Sequence, residues 1–191
     1  MTSDSEEEEE VQLVRVVGTT IYFSSEVTIE SVLDLVEKLK KLEIQLLKQA
    51  IEFPGYAPQI TLFIHSSGGD AYAGLSGMDH IRNSKVPVKT VATGCCASAA
   101  TFLLLGGSIR SMTPHTYILI HQVSTEGFWG KFEDLKDEMS QCKRMMTMIK
   151  SIYTQYTNIP NTTLNTFMKR DVYLHSEDCM RHHIVTELAC P

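Results

Sequence analysis

No apolar run in this chain approaches the roughly 18 residues that a membrane span needs, so no transmembrane helix is expected. The first ten residues, Met1-Thr-Ser-Asp-Ser-Glu-Glu-Glu-Glu-Glu10, lack the basic-then-apolar order of a secretory signal, and a soluble, cytoplasmic protein is expected. The five cysteines, Cys95, Cys96, Cys142, Cys179 and Cys190, are odd in number and contain no C-x-x-C pair. That pattern suits reduced thiols in a cytosol-like compartment and argues against a disulfide framework or a zinc site, so no metal is expected. Basic charge is in deficit, with 17 Lys and Arg against 23 Asp and Glu and a net charge of −6. A generic nucleic-acid binder needs the opposite balance. Internal repeats and a second compositional block are also missing.

What is present is ordinary globular material. The 191 residues are 43% hydrophobic and 21% charged, enough for one buried core and one domain. About a quarter of the acidic residues sit in one block, Asp4 and Glu6 to Glu10. Such a block predicts a solvated, disordered tail over residues 1–10 ahead of a folded domain over 11–191. A docking role for the tail stays open.

Val11 to Phe23 reads as one or two short strands broken near Gly18. Between Thr28 and Phe53 the residues Ile29, Val32, Val36, Leu39, Leu42, Leu46 and Ile51 recur at helical spacing, which predicts a long amphipathic helix ended by Pro54-Gly55. Gln59 to Ile64 reads as a strand and Ala71 to Asn83 as a helix. Val86 to Thr93 reads as a strand stopped by Gly94, and Ala97 to Leu105 as an apolar helix. Short strands at 108–112 and 117–121 follow. Strand, glycine turn and helix alternate, which predicts an α/β domain with mostly parallel strands. A second long helix carries Phe132, Leu135, Met139, Cys142, Met146, Ile149, Tyr153 and Tyr156 as one stripe. Its methionines and tyrosines suit either core packing or contact with another subunit. A shorter helix at 161–169, a last helix from about Ser176 and a strand near 184–188 complete the chain.

Four segments carry candidate chemistry. Thr93-Gly-Cys-Cys-Ala-Ser-Ala-Ala100 joins a strand to an apolar helix and sets Ser98 near the helix start among small residues. A nucleophilic serine needs an exposed hydroxyl, room for a carbonyl and donors for the oxyanion; helix N-terminal amides could help supply the last. Taken alone, the same segment describes a helix cap or tight packing. His65-Ser-Ser-Gly-Gly-Asp70 also follows a strand, and two consecutive glycines leave backbone N–H groups unobstructed, as an oxyanion hole requires. An ordinary turn fits it too. A nucleotide loop does not, because the Walker lysine and the G-x-G-x-x-G spacing are missing. His121 closes the apolar strand Tyr117 to Ile120, a position suited to a general base. Six other histidines show that the residue type alone proves little. Asp171, in Lys169-Arg-Asp-Val-Tyr-Leu174, could orient an imidazole or simply pair with Lys169 or Arg170 at the surface.

Together these segments resemble the caseinolytic protease proteolytic subunit family, ClpP. The stretches that carry the resemblance are Ile64-His-Ser-Ser-Gly-Gly69, Gly94-Cys-Cys-Ala-Ser-Ala99, Ile118-Leu-Ile-His-Gln122 and Arg170-Asp-Val-Tyr-Leu174, with the glycine-bearing loop 127–130. They occur in family order over about Val11 to Leu188. The resemblance implies the ClpP/crotonase-like α/β fold of stacked ββα units with a protruding handle helix at 131–157. It implies Ser98 as nucleophile, His121 as general base and acid, and Asp171 as the orienting carboxylate. The amides of Gly69 and Ala99 would be the oxyanion donors. Gly68, Gly127 and Phe128 would hold a polypeptide substrate as an added β-strand. It further implies a homo-oligomer of two stacked heptameric rings, fed by an AAA+ unfoldase that alone uses ATP. No cofactor is implied.

The chain departs from the family pattern in four places. Ser66-Ser67-Gly68-Gly69-Asp70 stands where Ser-Pro-Gly-Gly is usual, Ala99 stands where Met follows the serine, and His121-Gln122-Val123 replaces His-Gln-Pro. The acidic tail stands where the family has its axial gate. Gly-Gly-Asp is also similar to the head-maturation proteases of tailed phages, which points to a divergent viral or organellar member. A processing protease working without an ATPase and a catalytically silent ring subunit are therefore alternatives. A crotonase-like acyl-CoA enzyme would share the paired amides but has no need of the three side chains.

Overall fold

The structure, a computed structural model, describes residues 14–124, 127 and 129–189. The tail at 1–10, Phe128 and Cys190 lie outside the described residues. Strands β1 (Val14–Val17) and β2 (Thr20–Phe23) form an antiparallel hairpin about Gly18, whose φ of +60° suits glycine. Helix α1 (Ile29–Glu52) follows. Its first turn is closed by a capping box in which the Ser31 N–H donates to Thr28 Oγ1 at 3.1 Å and the Thr28 N–H donates to Ser31 Oγ at 2.9 Å. Val32, Leu39, Leu42 and Leu46 of the expected stripe are buried together with Leu35, while Ile29 and Ile51 at the two ends are exposed.

The remaining elements are β3 (Ile60–Ser66), α2 (Ala71–Arg82), β4 (Val88–Ala97), α3 (Ala100–Leu105), β5 (Ile109–Met112), β6 (Tyr117–Ile120), α4 (Phe132–Tyr156), α5 (Asn161–Phe167), β7 (Val172–Leu174), α6 (Ser176–Arg181) and β8 (Glu187–Leu188). The main path of the sheet runs β1-β2-β3-β4-β5-β8, parallel throughout after the first hairpin. Along β3, Ile60, Leu62, Ile64 and Ser66 are buried while Thr61, Phe63 and His65 are less so. The period of two shows that one face of this strand is covered, and α3 packs against it. α3 is buried along its whole length.

One element differs from the sequence expectation in a way that matters. Gly94 does not stop β4; the strand continues to Ala97, and the helix expected from Ala97 begins only at Ala100. Gly94 instead bends the strand, with φ of +62°, and a Cβ there would lie 2.7 Å from Nδ1 of His65. Before the bend β4 pairs with β5; after it, Cys95, Cys96 and Ala97 pair in parallel with Tyr117, Ile118 and Leu119 of β6. β6 in turn pairs antiparallel with β7. One long strand thus feeds two ladders.

A buried carboxylate ties α1 to the turn before β4. Glu43 accepts from the Ser84 hydroxyl at 3.0 Å, the Lys85 N–H at 3.1 Å and Lys40 Nζ at 3.1 Å. Burial pushes its carboxyl up, but the bonds from Lys40, Lys85 and Ser84 outweigh that and hold it below the usual carboxylate value. The cysteines among the described residues are all free thiols. None of the helices among the described residues is long and apolar enough to cross a membrane.

Candidate active site

The second ladder decides what meets at its open end. β4 and β6 are parallel and β7 is antiparallel to them. The carboxyl ends of β4 and β6 therefore lie beside the start of β7. Ser98 follows β4, His121 follows β6 and Asp171 precedes β7. The β6–β7 register pairs Ile120 with Val172, and one more step sets His121 across from Asp171. Residues far apart in sequence thus collect at carboxyl ends of parallel strands, the usual location of a site in an α/β sheet.

Ser98 adopts φ of +53°, one of two non-glycine residues in the left-handed region among those described. That conformation costs a residue with a Cβ about 1–3 kcal/mol and persists only where surroundings hold it. Its N–H donates to the Leu119 carbonyl at 2.9 Å, and its carbonyl accepts from the Thr101 N–H at 3.0 Å and the Thr101 hydroxyl at 2.6 Å. A sharp, strained strand-to-helix turn of this kind projects the side chain outward. It opens onto a cavity of about 280 Å³ lined by Ser98, His121, Gly69 and Ala99, with Tyr72, Phe102, Met145, Ile149 and Tyr153 among its walls. Asp171 is exposed and not part of that lining. Among the described residues Asp171 forms no ion pair with Lys169 or Arg170. No hydrogen bond joins Ser98, His121 and Asp171 to one another in the isolated chain.

The glycine pair is built into this corner. Val27 and Gly69 form a parallel bridge in which the Val27 N–H donates to the Gly68 carbonyl and the Asp70 N–H to the Val27 carbonyl, both at 2.7 Å. This pairing leaves the Gly69 N–H on the other side, and among the described residues neither it nor the Ala99 N–H has an acceptor. Both amides belong to residues of the cavity wall. Gly68, expected to bind substrate, is not in that wall. Its N–H goes to Ser66 Oγ at 3.1 Å, and a Cβ on it would lie 2.6 Å from Ser98 Cβ. Its missing Cβ lets the turn pack closely against Ser98. Gly127 has φ of +146°, and no strand forms at the described positions of 122–131.

A family model for Clp protease matches residues 11–190. The chain belongs to the Clp protease family. Two relatives named ATP-dependent Clp protease proteolytic subunit are 30% identical over 132 residues in Deinococcus radiodurans and 33% identical over 130 residues in Pleurastrum terricola. Those alignments cover 68% and 67% of this chain but 64% and 66% of the relatives, so the match spans about two thirds of their length. A mutant of ClpP1 from Listeria monocytogenes has a similar structure, with a TM-score of 0.75 at 26% identity, covering 91% of this chain and 92% of that one. The Clp protease fold of the resemblance is therefore the fold of this chain.

Some walls of the Clp-family cavity were hidden from sequence reasoning. Met145 falls outside the stripe assigned to α4, yet it is buried and faces the cavity. Phe102, another residue of the wall, reads in the sequence simply as part of an apolar helix. The outer half of the α4 stripe is solvent-facing in the lone chain, with Phe132 73% and Met139 49% exposed.

Proposed function

We propose that this chain is a serine endopeptidase in which Ser98, His121 and Asp171 act as a triad. The observation that carries the reading is the strained Ser98 at the end of β4, facing a cavity shared with His121 and two amides that have no acceptor among the described residues. His121 takes the proton of the Ser98 hydroxyl as Oγ attacks the peptide carbonyl. The tetrahedral oxyanion is met by the N–H groups of Gly69 and Ala99, each worth on the order of 3 kcal/mol. His121 then passes its proton to the leaving amine as the C–N bond breaks, giving an acyl-enzyme. Water, deprotonated by His121, hydrolyses the ester and restores Ser98. Asp171 orients the imidazole and stabilises its cation. Hydrogen bonds in such sites tighten once substrate is bound.

The substrate is a polypeptide, held beside Gly69 and the 122–130 segment in extended form. The name of the relatives supports an ATP-driven partner that delivers it, and the exposed apolar half of α4 supports a homo-oligomer, read as two stacked heptameric rings. Hydrolysis of a fluorogenic peptide tests the chemistry. Ser98→Ala and His121→Ala are expected to lower kcat by about 10³-fold or more with the fold intact. Unchanged turnover in Ser98→Ala would remove the proposal.

A further inference from the structure

Tyr153 lies in the last third of α4, 2% exposed, and its phenol oxygen is hydrogen-bonded to Thr101 Oγ1, which is itself fully buried. Thr101 Oγ1 also donates to the Ser98 carbonyl at 2.6 Å. A hydroxyl has one proton, so Thr101 spends its own on Ser98, and the Tyr153 O–H must donate to Thr101. The relay runs in one direction, from Tyr153 through Thr101 to the Ser98 carbonyl. Burial pushes the Tyr153 phenol well above its ordinary value, keeping it a neutral donor.

The relay ends on a peptide group with a second function. The Ser98 carbonyl and the Ala99 N–H belong to one planar trans unit and point in opposite directions. Whatever fixes the carbonyl therefore aims the amide. The Thr101 N–H adds a second bond to the same carbonyl at 3.0 Å, and chained bonds polarise the amide they end on.

We infer that Tyr153 and Thr101 are positioning residues that aim the Ala99 N–H at the oxyanion. The inference rests on the serine-peptidase reading and deepens it. It also gives α4, one wall of the cavity, a hydrogen-bonded hold on the nucleophile's backbone by way of Thr101.

The test uses the assembled wild-type protein with Thr101→Val, Thr101→Ser, Tyr153→Phe and the double variant Tyr153→Phe/Thr101→Val, which removes both hydroxyls and leaves neither orphaned. Turnover of a fluorogenic peptide is measured beside inhibition by the matching peptide aldehyde, whose hemiacetal oxygen occupies the oxyanion position. Thr101→Val and the double variant are expected to lose about tenfold or more in kcat. Their KM is expected to stay within about twofold, with aldehyde affinity falling in parallel with kcat/KM. Tyr153→Phe loses less, about threefold to tenfold, and Thr101→Ser recovers most of the rate. A merely structural role would lower the melting temperature and the amount of folded enzyme without moving the ratio of aldehyde affinity to KM in what remains folded. That result, or wild-type kcat in the folded double variant, overturns the inference while leaving Ser98 as nucleophile. A wild-type protein with neither turnover nor Ser98-dependent labelling overturns the peptidase reading itself, and the inference with it.

Discussion

Gly68 shows how one missing atom shapes the site. It sits at φ of +105°, and a Cβ on it would come within 2.6 Å of Ser98 Cβ and 2.9 Å of the Ala97 carbonyl oxygen. Both contacts are too close to relax by rotating a side chain. Gly68→Ala is thus expected to cost about 1–3 kcal/mol of stability. It should also displace Ser98, lowering kcat by about tenfold in the molecules that remain folded; a melting curve and a kcat determination check the two effects. At this scale the sequence was informative about identity and silent about cause. Ser98, His121 and the glycine pair stood out by residue type and order. The strain at Ser98 and the bridge that turns the Gly69 amide outward arise from Val27, Leu119 and Thr101, which no local pattern connects to them.

Among elements, β4 was the hardest to read. Glycine is a common strand breaker, and Gly94 looked like one. What kept the strand going was long-range pairing of Cys95 to Ala97 with β6, together with the His65 ring lying over the bend. By contrast, α1 and α4 were legible from period alone, because each offers a strong apolar stripe. The hold of Glu43 on the 84–85 turn belongs to this scale. Removing its carboxylate leaves the Ser84 hydroxyl and Lys85 amide without that acceptor, so Glu43→Ala is expected to destabilise the fold by about 1–3 kcal/mol in chemical denaturation. Its folded value lies below the unfolded one. The stabilisation is therefore complete above roughly pH 4.3 and is lost as pH falls through the folded value. Glu43→Gln should accordingly flatten the acid limb of a stability–pH curve, and an unchanged limb would contradict the assignment.

At the scale of the whole molecule, two features of α4 belong together. Its inner half supplies Met145, Ile149 and Tyr153 to the cavity wall, and its outer half shows Leu135 and Met139 to solvent. If the outer half is where copies meet, Leu135→Glu/Met139→Glu should leave the melting temperature of the isolated chain within a few degrees while shrinking the particle seen by native mass spectrometry. A particle of unaltered mass would place the contact elsewhere. The sequence offered this face as either core or interface and could not choose, because an apolar stripe has the same period in both settings.

The most direct measurement is the site of covalent labelling by a fluorophosphonate, mapped by peptide mass spectrometry on the assembled protein. An activated serine displaces fluoride and keeps the phosphonyl group on Oγ. A single adduct on Ser98, lost in His121→Ala, is the expected result. An adduct on Ser66, Ser67 or Ser124 instead, or a wild-type particle that takes up no label, would contradict the account.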